Sequence, residues 1–313
     1  MNKHAYLIMA HNNFYILEKL LKLLDDSRND IFLHIDKKVK DFDFYYYKKL
    51  IRYSNIIFIE RMDVRWADMS QVKCTINLLT CAKKYSKEKY NEGYKYYHFI
   101  SGVDLPIKTQ NYIHDFLDNK DFEFIHFAPE KDRKNIEFRY KYRCFFTKNL
   151  RKKGVYRIFN LLNKIGIYIQ KYLNIDKTKN EDIQIMFGAN WFSITDDFVT
   201  YMLNNRKWIL ERFKYSISGD EEIVQTLIYN SKFYKKIYIK KEQQRNNDHI
   251  ACMRKIDWNR GGPYTWTIND FQEIMQSNCL FARKFDENKD KFIIDKIYNT
   301  LSECDMKNKF YRE

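Results

Sequence analysis

Near its C-terminus the chain reads Ile256-Asp257-Trp258, then Arg260-Gly261-Gly262-Pro263, then Asp270-Phe271, then Leu280-Phe281-Ala282-Arg283-Lys284-Phe285-Asp286. Two of the eight glycines and one of the three prolines stand there, between aromatic residues and fixed cations. Such backbone beside such charges suits a site that holds an anionic leaving group. Arginine offers phosphate a bidentate fork and lysine a point charge. Arg254, Arg260, Arg283 and Lys284 are the cations of this segment that could play the part. A second cluster, Ser218-Gly219-Asp220-Glu221-Glu222, precedes an apolar helix. One of its carboxylates could take a proton from a poor nucleophile such as a hydroxyl. Ser218 and Glu221 also have capping-box spacing for that helix, which would explain them without chemistry.

Three more candidates lie in the first half: His11, Asp36 in His34-Ile35-Asp36-Lys37-Lys38, and Trp66 in Val64-Arg65-Trp66-Ala67-Asp68-Met69-Ser70. A carboxylate at a strand end can accept hydrogen bonds from a base or a ribose, and an aromatic face can stack on a base. Singly, each is more often a cap, a structural hydrogen-bonder or core. Ser101-Gly102-Val103-Asp104-Leu105-Pro106-Ile107-Lys108-Thr109 carries one further carboxylate, Asp104. Asp41-Phe42-Asp43 has the bare pattern of a metal-binding carboxylate pair, but its Lys/Tyr-rich, helical setting reads as surface. The sequence has no GxSxG, Walker loop, HExxH or GxGxxG. Its seven histidines do not cluster with cysteines at ligand spacing, so no metal site is expected.

The elements that must position these residues alternate. His4 to Ala10 reads as a buried strand, and Asn12-Asn13 as a turn. A helix follows with Ile16, Leu20, Leu21 and Leu24 on one face. Asp30 to Ile35 and Ile56 to Glu60 read as strands. Ser70 to Ala82 reads as a helix, and Tyr97 to Ile100 as a fourth strand. This order predicts an α/β fold with a central, mostly parallel sheet, whose ligands sit at the carboxyl ends of the strands. His11, Asp36 and Asp104 all fall there. Beyond Asp182 we expect a strand near Trp191 to Ile194 and helices near Asp196 to Leu203 and Asp220 to Tyr229. With no flexible linker, residues 1–313 read as one domain whose second half completes the first half's sheet.

Residues 129–186 break the pattern as a basic, amphipathic insert. Lys131, Arg133, Lys134, Arg139, Lys141, Arg143, Lys148, Arg151, Lys152 and Lys153 crowd its first part. Ile158, Leu161, Leu162, Ile165, Ile169 and Tyr172 then recur at helical spacing. Two readings stay open: a surface helix packed on the core, or an interfacial segment touching anionic lipid.

Composition sets the bounds. The 313 residues are 45% hydrophobic, enough for a large core, and the net charge is +15. That charge predicts phosphate-bearing partners: nucleotide, anionic lipid or nucleic acid. No zinc-finger, RNP or basic-zipper pattern accompanies it, so nucleic acid is not expected. The six cysteines form no CxxC, the start lacks an apolar signal region, and no run of about 18 apolar residues exists to span a bilayer. A reducing cytoplasm is the expected setting, at or near the inner face of the plasma membrane.

Taken together, the motifs closely resemble the core-2/I-branching glycosyltransferase family (β-1,6-N-acetylglucosaminyltransferases and peptide xylosyltransferases), as a bacterial member. The resemblance runs from Ala5 to about Phe127 in outline and from Gly188 to about Ile294 more closely. It implies a GT-A-like fold and a UDP-sugar donor, most simply one carrying N-acetylglucosamine. It implies inverting transfer without metal to a hydroxyl of a glycan or lipid-linked glycan, as in cell-surface polysaccharide assembly. By position, the base falls on Glu221, where Gly219 replaces the family's proline. The nucleoside falls on His11, Asp36 and Trp66, the metal-free pivot on Ser101 to Thr109 with Asp104, and the diphosphate on Lys284 and Arg260. Gly188-Ala189-Asn190-Trp191-Phe192-Ser193-Ile194-Thr195 resembles the family's "GSxWWxLT" strand. Trp191 there either packs on a sugar ring or is core. Tyr264 and Trp266 are further acceptor-side candidates. A xylosyl-, glucosyl- or galactosyltransferase, or a basic binding module without turnover, are the alternatives.

Overall fold

A computed structural model of the chain describes residues 2–150, 154–179, 182–244 and 249–310. Arg151, Lys152 and Lys153 of the basic run lie outside the described residues. The first half alternates as expected: β1 (His4–Ala10), α1 (Phe14–Leu24), β2 (Asn29–Ile35), α2 (Phe44–Leu50), β3 (Asn55–Phe58), α3 (Met69–Tyr90), β4 (Tyr96–Ser101), β5 (Leu105–Pro106) and α4 (Gln110–Asp118). There follow β6 (Phe124–Ile125), α5 (Glu130–Asn135), α6 (Phe138–Lys141), α7 (Arg157–Tyr172), β7 (Phe192–Ile194), α8 (Asp196–Asn204), α9 (Arg206–Arg212) and α10 (Ile223–Tyr229). The C-terminal part holds β8 (Arg254–Lys255), α11 (Phe271–Met275), β9 (Phe281–Ala282) and α12 (Lys291–Phe310).

The main sheet has the order β3-β2-β1-β4-β7-β6. The first four strands in this order are parallel, with β1 in register from His4↔Asn29 to Ala10↔Ile35. β7 then runs antiparallel to both β4 and β6. All of β2 is buried and β1 nearly so, because helices cover both faces, which is why these strands read as near-continuous apolar runs. Alternation along β1 divides the core. Tyr6, Ile8 and Ala10 face a layer with α1 and α12, while Ala5 and Leu7 face a layer with α3, α8 and α10. The chain thus leaves β1 toward β2 through one layer and returns to β4 through the other. The crevice between the carboxyl ends of β1 and β4 is the switch point where such sheets bind ligands.

Three short strands form a second sheet, in the order β5-β9-β8. β9 pairs antiparallel with β5 and parallel with β8, so Leu105–Pro106 and Phe281–Ala282, far apart in sequence, meet beside the crevice. Arg254 on β8 staples this sheet to the main one. Its buried guanidinium donates to Phe99 O, Phe192 O, Cys252 O and Ser193 Oγ. All six cysteines are free.

Three expectations change. α3 continues past Ala82 to Tyr90, its last turns packing Tyr85 and Tyr90 on the core. Asp41-Phe42-Asp43 is coil rather than helix; Asp43 caps α2 by accepting from Tyr46 N at 2.9 Å. The apolar side of α7 is not packed on the core: among its described side chains the buried ones are Asn163 and Gln170.

Backbone packing is tight at Gly188. A Cβ there would stand 1.9 Å from the carbonyl oxygen of His126. Gly188→Ala is expected to cost about 3 kcal/mol, read from the urea midpoint; an unchanged midpoint would show that this contact relaxes freely.

Candidate active site

The rim forms where the parallel strands end. Asp36 follows β2, and its buried carboxylate holds the next loop. Oδ1 accepts from Lys38 N at 2.8 Å, and Oδ2 from Lys38 Nζ at 2.7 Å and Val64 N at 3.2 Å. His11, just beyond β1, is exposed at the mouth. Desolvation there lowers its pKa, Lys38 adds to the effect, and the nearby Asp36 opposes it. The loop held by Asp36 leads to Trp66, which is 48% exposed. Ala67 behind it is left-handed, with φ 60°, and its carbonyl accepts from Ser218 N at 2.9 Å. The Trp66 loop is thereby joined to the loop of acidic residues.

Beyond β4 the chain turns at Gly102, whose N–H bonds Met9 O at 2.9 Å. A Cβ at Gly102 would meet Ala10 Cβ at 2.7 Å, so this approach to β1 requires glycine. The turn places Asp104 in the interior. Its carboxylate accepts from Ser101 N and Ser101 Oγ, each at 2.8 Å, and pairs with Arg283 at 3.1 Å. Arg283 also donates to Ser101 Oγ at 3.2 Å, and its guanidinium lies 3.7 Å from the ring centre of Trp191. Burial depresses its pKa, Asp104 opposes that shift, and its Nε has no partner. Trp191 is therefore a platform under a cation rather than plain core.

Lys284 follows at once, partly buried, and among the described residues its ammonium makes no hydrogen bond or ion pair. Arg260 is placed differently. Its guanidinium pairs with Asp257, with Asp270 at 2.6 Å and with Glu273 at 2.9 Å, and stacks 4.3 Å from the Tyr264 ring centre. Tyr264 bonds Asp270 at 3.2 Å. Trp266 is fully buried, and its Nε1 donates to Arg283 O at 2.7 Å, so its ring walls the site from behind. Arg254, the staple, commits both terminal nitrogens to carbonyls and a hydroxyl, and its Nε has no partner.

Residues 219–221 form a single 3₁₀ turn ahead of α10. Ser218 is left-handed, with φ 57°, and caps nothing with its side chain, so capping does not account for Ser218 and Glu221. Asp220 is buried and accepts from Asn190 Nδ2 at 2.9 Å and Gln71 Nε2 at 3.0 Å. Glu221 opens to solvent with its side chain 36% exposed, and Arg139 stands 3.4 Å from its Oε2. Desolvation first, then Asp220, pushes Glu221 well above the ordinary carboxylate range; Arg139 pulls the other way. Glu222 is fully buried, neither of its oxygens has a hydrogen-bond partner, and burial raises its pKa well above the ordinary value.

One short segment joins the two sides. Gly188 N bonds Glu221 O at 2.9 Å, Asn190 bonds Asp220, and Trp191 supports Arg283. The acidic turn and the Asp104–Arg283 pair are thus tied together by residues 188–191, with Lys284 next to Arg283 in sequence. Among the described residues no group of three or more His, Cys, Asp or Glu is placed to hold a metal. Sequence reasoning did not single out Arg139 or Asn190. Arg139 is 82 residues from Glu221, and nothing in its basic surroundings marks it.

Removing one member of the buried Asp104–Arg283 pair should be costly. Asp104→Asn is expected to lose about 3–5 kcal/mol, read by denaturant unfolding. The double change Asp104→Asn with Arg283→Met should recover part of it, because no lone charge remains inside. Simple additivity of the two losses would contradict a direct pair.

A family model for the core-2/I-branching enzyme matches residues 4–280. The match spans the basic insert and ends just before Phe281–Asp286. Among curated proteins, xylosyltransferase oxt of Drosophila pseudoobscura pseudoobscura is 23% identical over 300 residues, covering 86% of this chain and 30% of that protein. Beta-glucuronosyltransferase GlcAT14B of Arabidopsis thaliana is 24% identical over 167 residues, covering 50% of this chain and 36% of that protein. The chain therefore spans well under half the length of these relatives. Among solved structures, apo mouse xyloside xylosyltransferase 1 aligns with a TM-score of 0.37 at 8% identity, over 89% of this chain and 96% of that one. The match over residues 4–280, on a GT-A-like α/β sheet with its crevice at the β1/β4 switch point, places the chain in the core-2/I-branching family of glycosyltransferases.

Proposed function

We propose that the chain is an inverting, metal-independent glycosyltransferase that moves N-acetylglucosamine from its UDP donor to a hydroxyl of an acceptor glycan. The observation that carries the reading is the Gly188–Trp191 segment, which bonds the Asp220–Glu221 turn at one end and supports Arg283 at the other. Base and cations are held by one piece of backbone.

In this reading Glu221 takes the proton of the acceptor hydroxyl. The freed oxygen attacks the anomeric carbon opposite the nucleotide, a new C–O bond forms, and the bond to the diphosphate breaks. UDP departs with that electron pair. Lys284, whose ammonium is unpaired among the described residues, and Arg283 beside it neutralise the growing charge in a water-poor site. Arg260 could join them only by leaving three carboxylates, so we assign it to holding its loop. Trp66 offers its exposed face to the uracil, with His11 and the Asp36 loop bounding the nucleoside. Asp104 acts through Arg283, as a positioning residue. Trp191 and Tyr264 border the acceptor side, while Trp266 backs the site from the interior.

A second donor is favoured by one finding: the relative matched over most of this chain is named a xylosyltransferase. UDP release measured across UDP-N-acetylglucosamine, UDP-xylose, UDP-glucose, UDP-galactose and UDP-glucuronate, with glycan acceptors, distinguishes these. Activity should persist in EDTA and fall at least about a thousand-fold in Glu221→Gln. Loss of turnover on chelation, or parental turnover in that variant, would overturn the mechanism.

The pH profile carries a sign. A base works unprotonated, so kcat/KM should climb with pH, and its inflection should lie above the ordinary carboxylate value because Glu221 is desolvated beside Asp220. Arg139 favours the charged form. Arg139→Ala should therefore move the inflection higher still, with the limiting rate at high pH changed less. An inflection that stays put would remove Glu221 as the titrating base.

A further inference from the structure

We propose that α7 docks on an anionic lipid bilayer, lying in its plane with the apolar face in the headgroup–acyl boundary. An amphipathic helix on a globular protein ordinarily turns its apolar stripe to the core. Here the helix is reversed. Asn163 accepts from Phe146 N at 3.2 Å, and Gln170 both accepts from Arg143 N at 2.8 Å and donates to Arg143 O at 3.0 Å. These bonds hold the polar side against the body. Ile158, Leu161, Leu162, Ile165, Ile169 and Tyr172 are left outside, with Tyr172 81% exposed.

Charge says what covers that face. Residues 138–175 contain ten Lys and Arg and no Asp or Glu. Arg157, Lys164 and Lys171 recur every seven residues, so they line one flank of the helix, and all three are exposed. Apolar side chains edged by cations match a surface of acyl chains edged by anionic headgroups. A second copy of the chain matches poorly, because a two-fold contact through this face would bring the same cations together. No helix among the described residues is long and apolar enough to cross a membrane, which leaves in-plane contact as the way for this face to meet lipid.

The helix is tied to the site. Asn163 of the helix accepts from Phe146 N, and the adjacent Thr147 donates to Asp68, two residues from Trp66. Arg139 O accepts from Ile217 N at 3.1 Å, and its side chain pairs with Glu221. Docking would therefore hold the rim close to the lipid surface. The docking itself does not depend on the transferase reading; only the consequence drawn from it does, namely that the acceptor is membrane-borne.

Flotation with vesicles tests it without any turnover. The protein should float with vesicles in which about a third of the lipid is phosphatidylglycerol and much less with pure phosphatidylcholine, and added salt should weaken it. Leu161→Glu with Ile165→Glu should cut binding by at least about ten-fold. Arg157→Glu, Lys164→Glu and Lys171→Glu together should do the same. These positions are exposed, so the melting temperature should hold in both variants. A parental protein that stays below the vesicles, or variants that float as the parent does, would overturn the proposal. A dimer that forms without lipid and is broken by the same changes would overturn it in favour of a second copy.

Discussion

A buried ion pair organises this molecule. Arg283 comes from the C-terminal sheet and Asp104 from the turn after β4, and they meet at 3.1 Å with little solvent on either side. Neither charge is tolerable there alone, so the pair fixes how the short sheet sits on the main one. Hydrogen bonds from Ser101 satisfy the remaining carboxylate capacity, and Trp191 covers the guanidinium face. Lys284 inherits its position from this arrangement. The Asp104 turn also needs Gly102 against Ala10, so backbone packing and electrostatics demand the same geometry.

The acidic turn is organised on the opposite principle. Three successive carboxylates, Asp220, Glu221 and Glu222, are crowded and desolvated, with Arg139 as the cation paired to Glu221. Each holds its proton more strongly than a free carboxylate does. Such a cluster stores unfavourable electrostatics that the surrounding packing must support, and strained charge of this sort collects where proton transfer is needed. Asp220 is tied down by Asn190 and Gln71, which leaves Glu221 as the member that meets solvent.

Much of the fold was legible because burial on two faces writes itself as apolar runs. β1, β2 and β4 could be read that way, as could the apolar run of the half-buried edge strand β3 and the helical faces of α1 and the first half of α3. The second half of α3 could not. Its Lys- and Glu-rich turns carry no regular apolar period, and the contacts of Tyr85 with Phe32 and of Tyr90 with Tyr94 help hold them, up to left-handed Asn91. The direction of β7 was invisible, since alternation does not record which way a strand runs. β5, β8 and β9 have two residues each, too few to show any period. At the site, the places of His11, Asp36 and Asp104 just beyond strand ends follow from those ends alone, whereas the turn of Asp104 into the interior does not. The Arg139–Glu221 contact and the three-carboxylate cage around Arg260 do not, because each joins charges whose sequence context looks like ordinary solvated surface.

The amino-acid order by itself determined the layered α/β class, the parallel strands, the residues available for chemistry and the family. Those follow from periodicity and from residue type at fixed spacing, which are local properties of the chain. Tertiary structure alone decided which cation is unpaired among the described residues and which is neutralised, which carboxylate meets solvent, and which side of α7 faces out. Those depend on partners distant in sequence, and a charge or an apolar stripe has no fixed role until its neighbours in space are known.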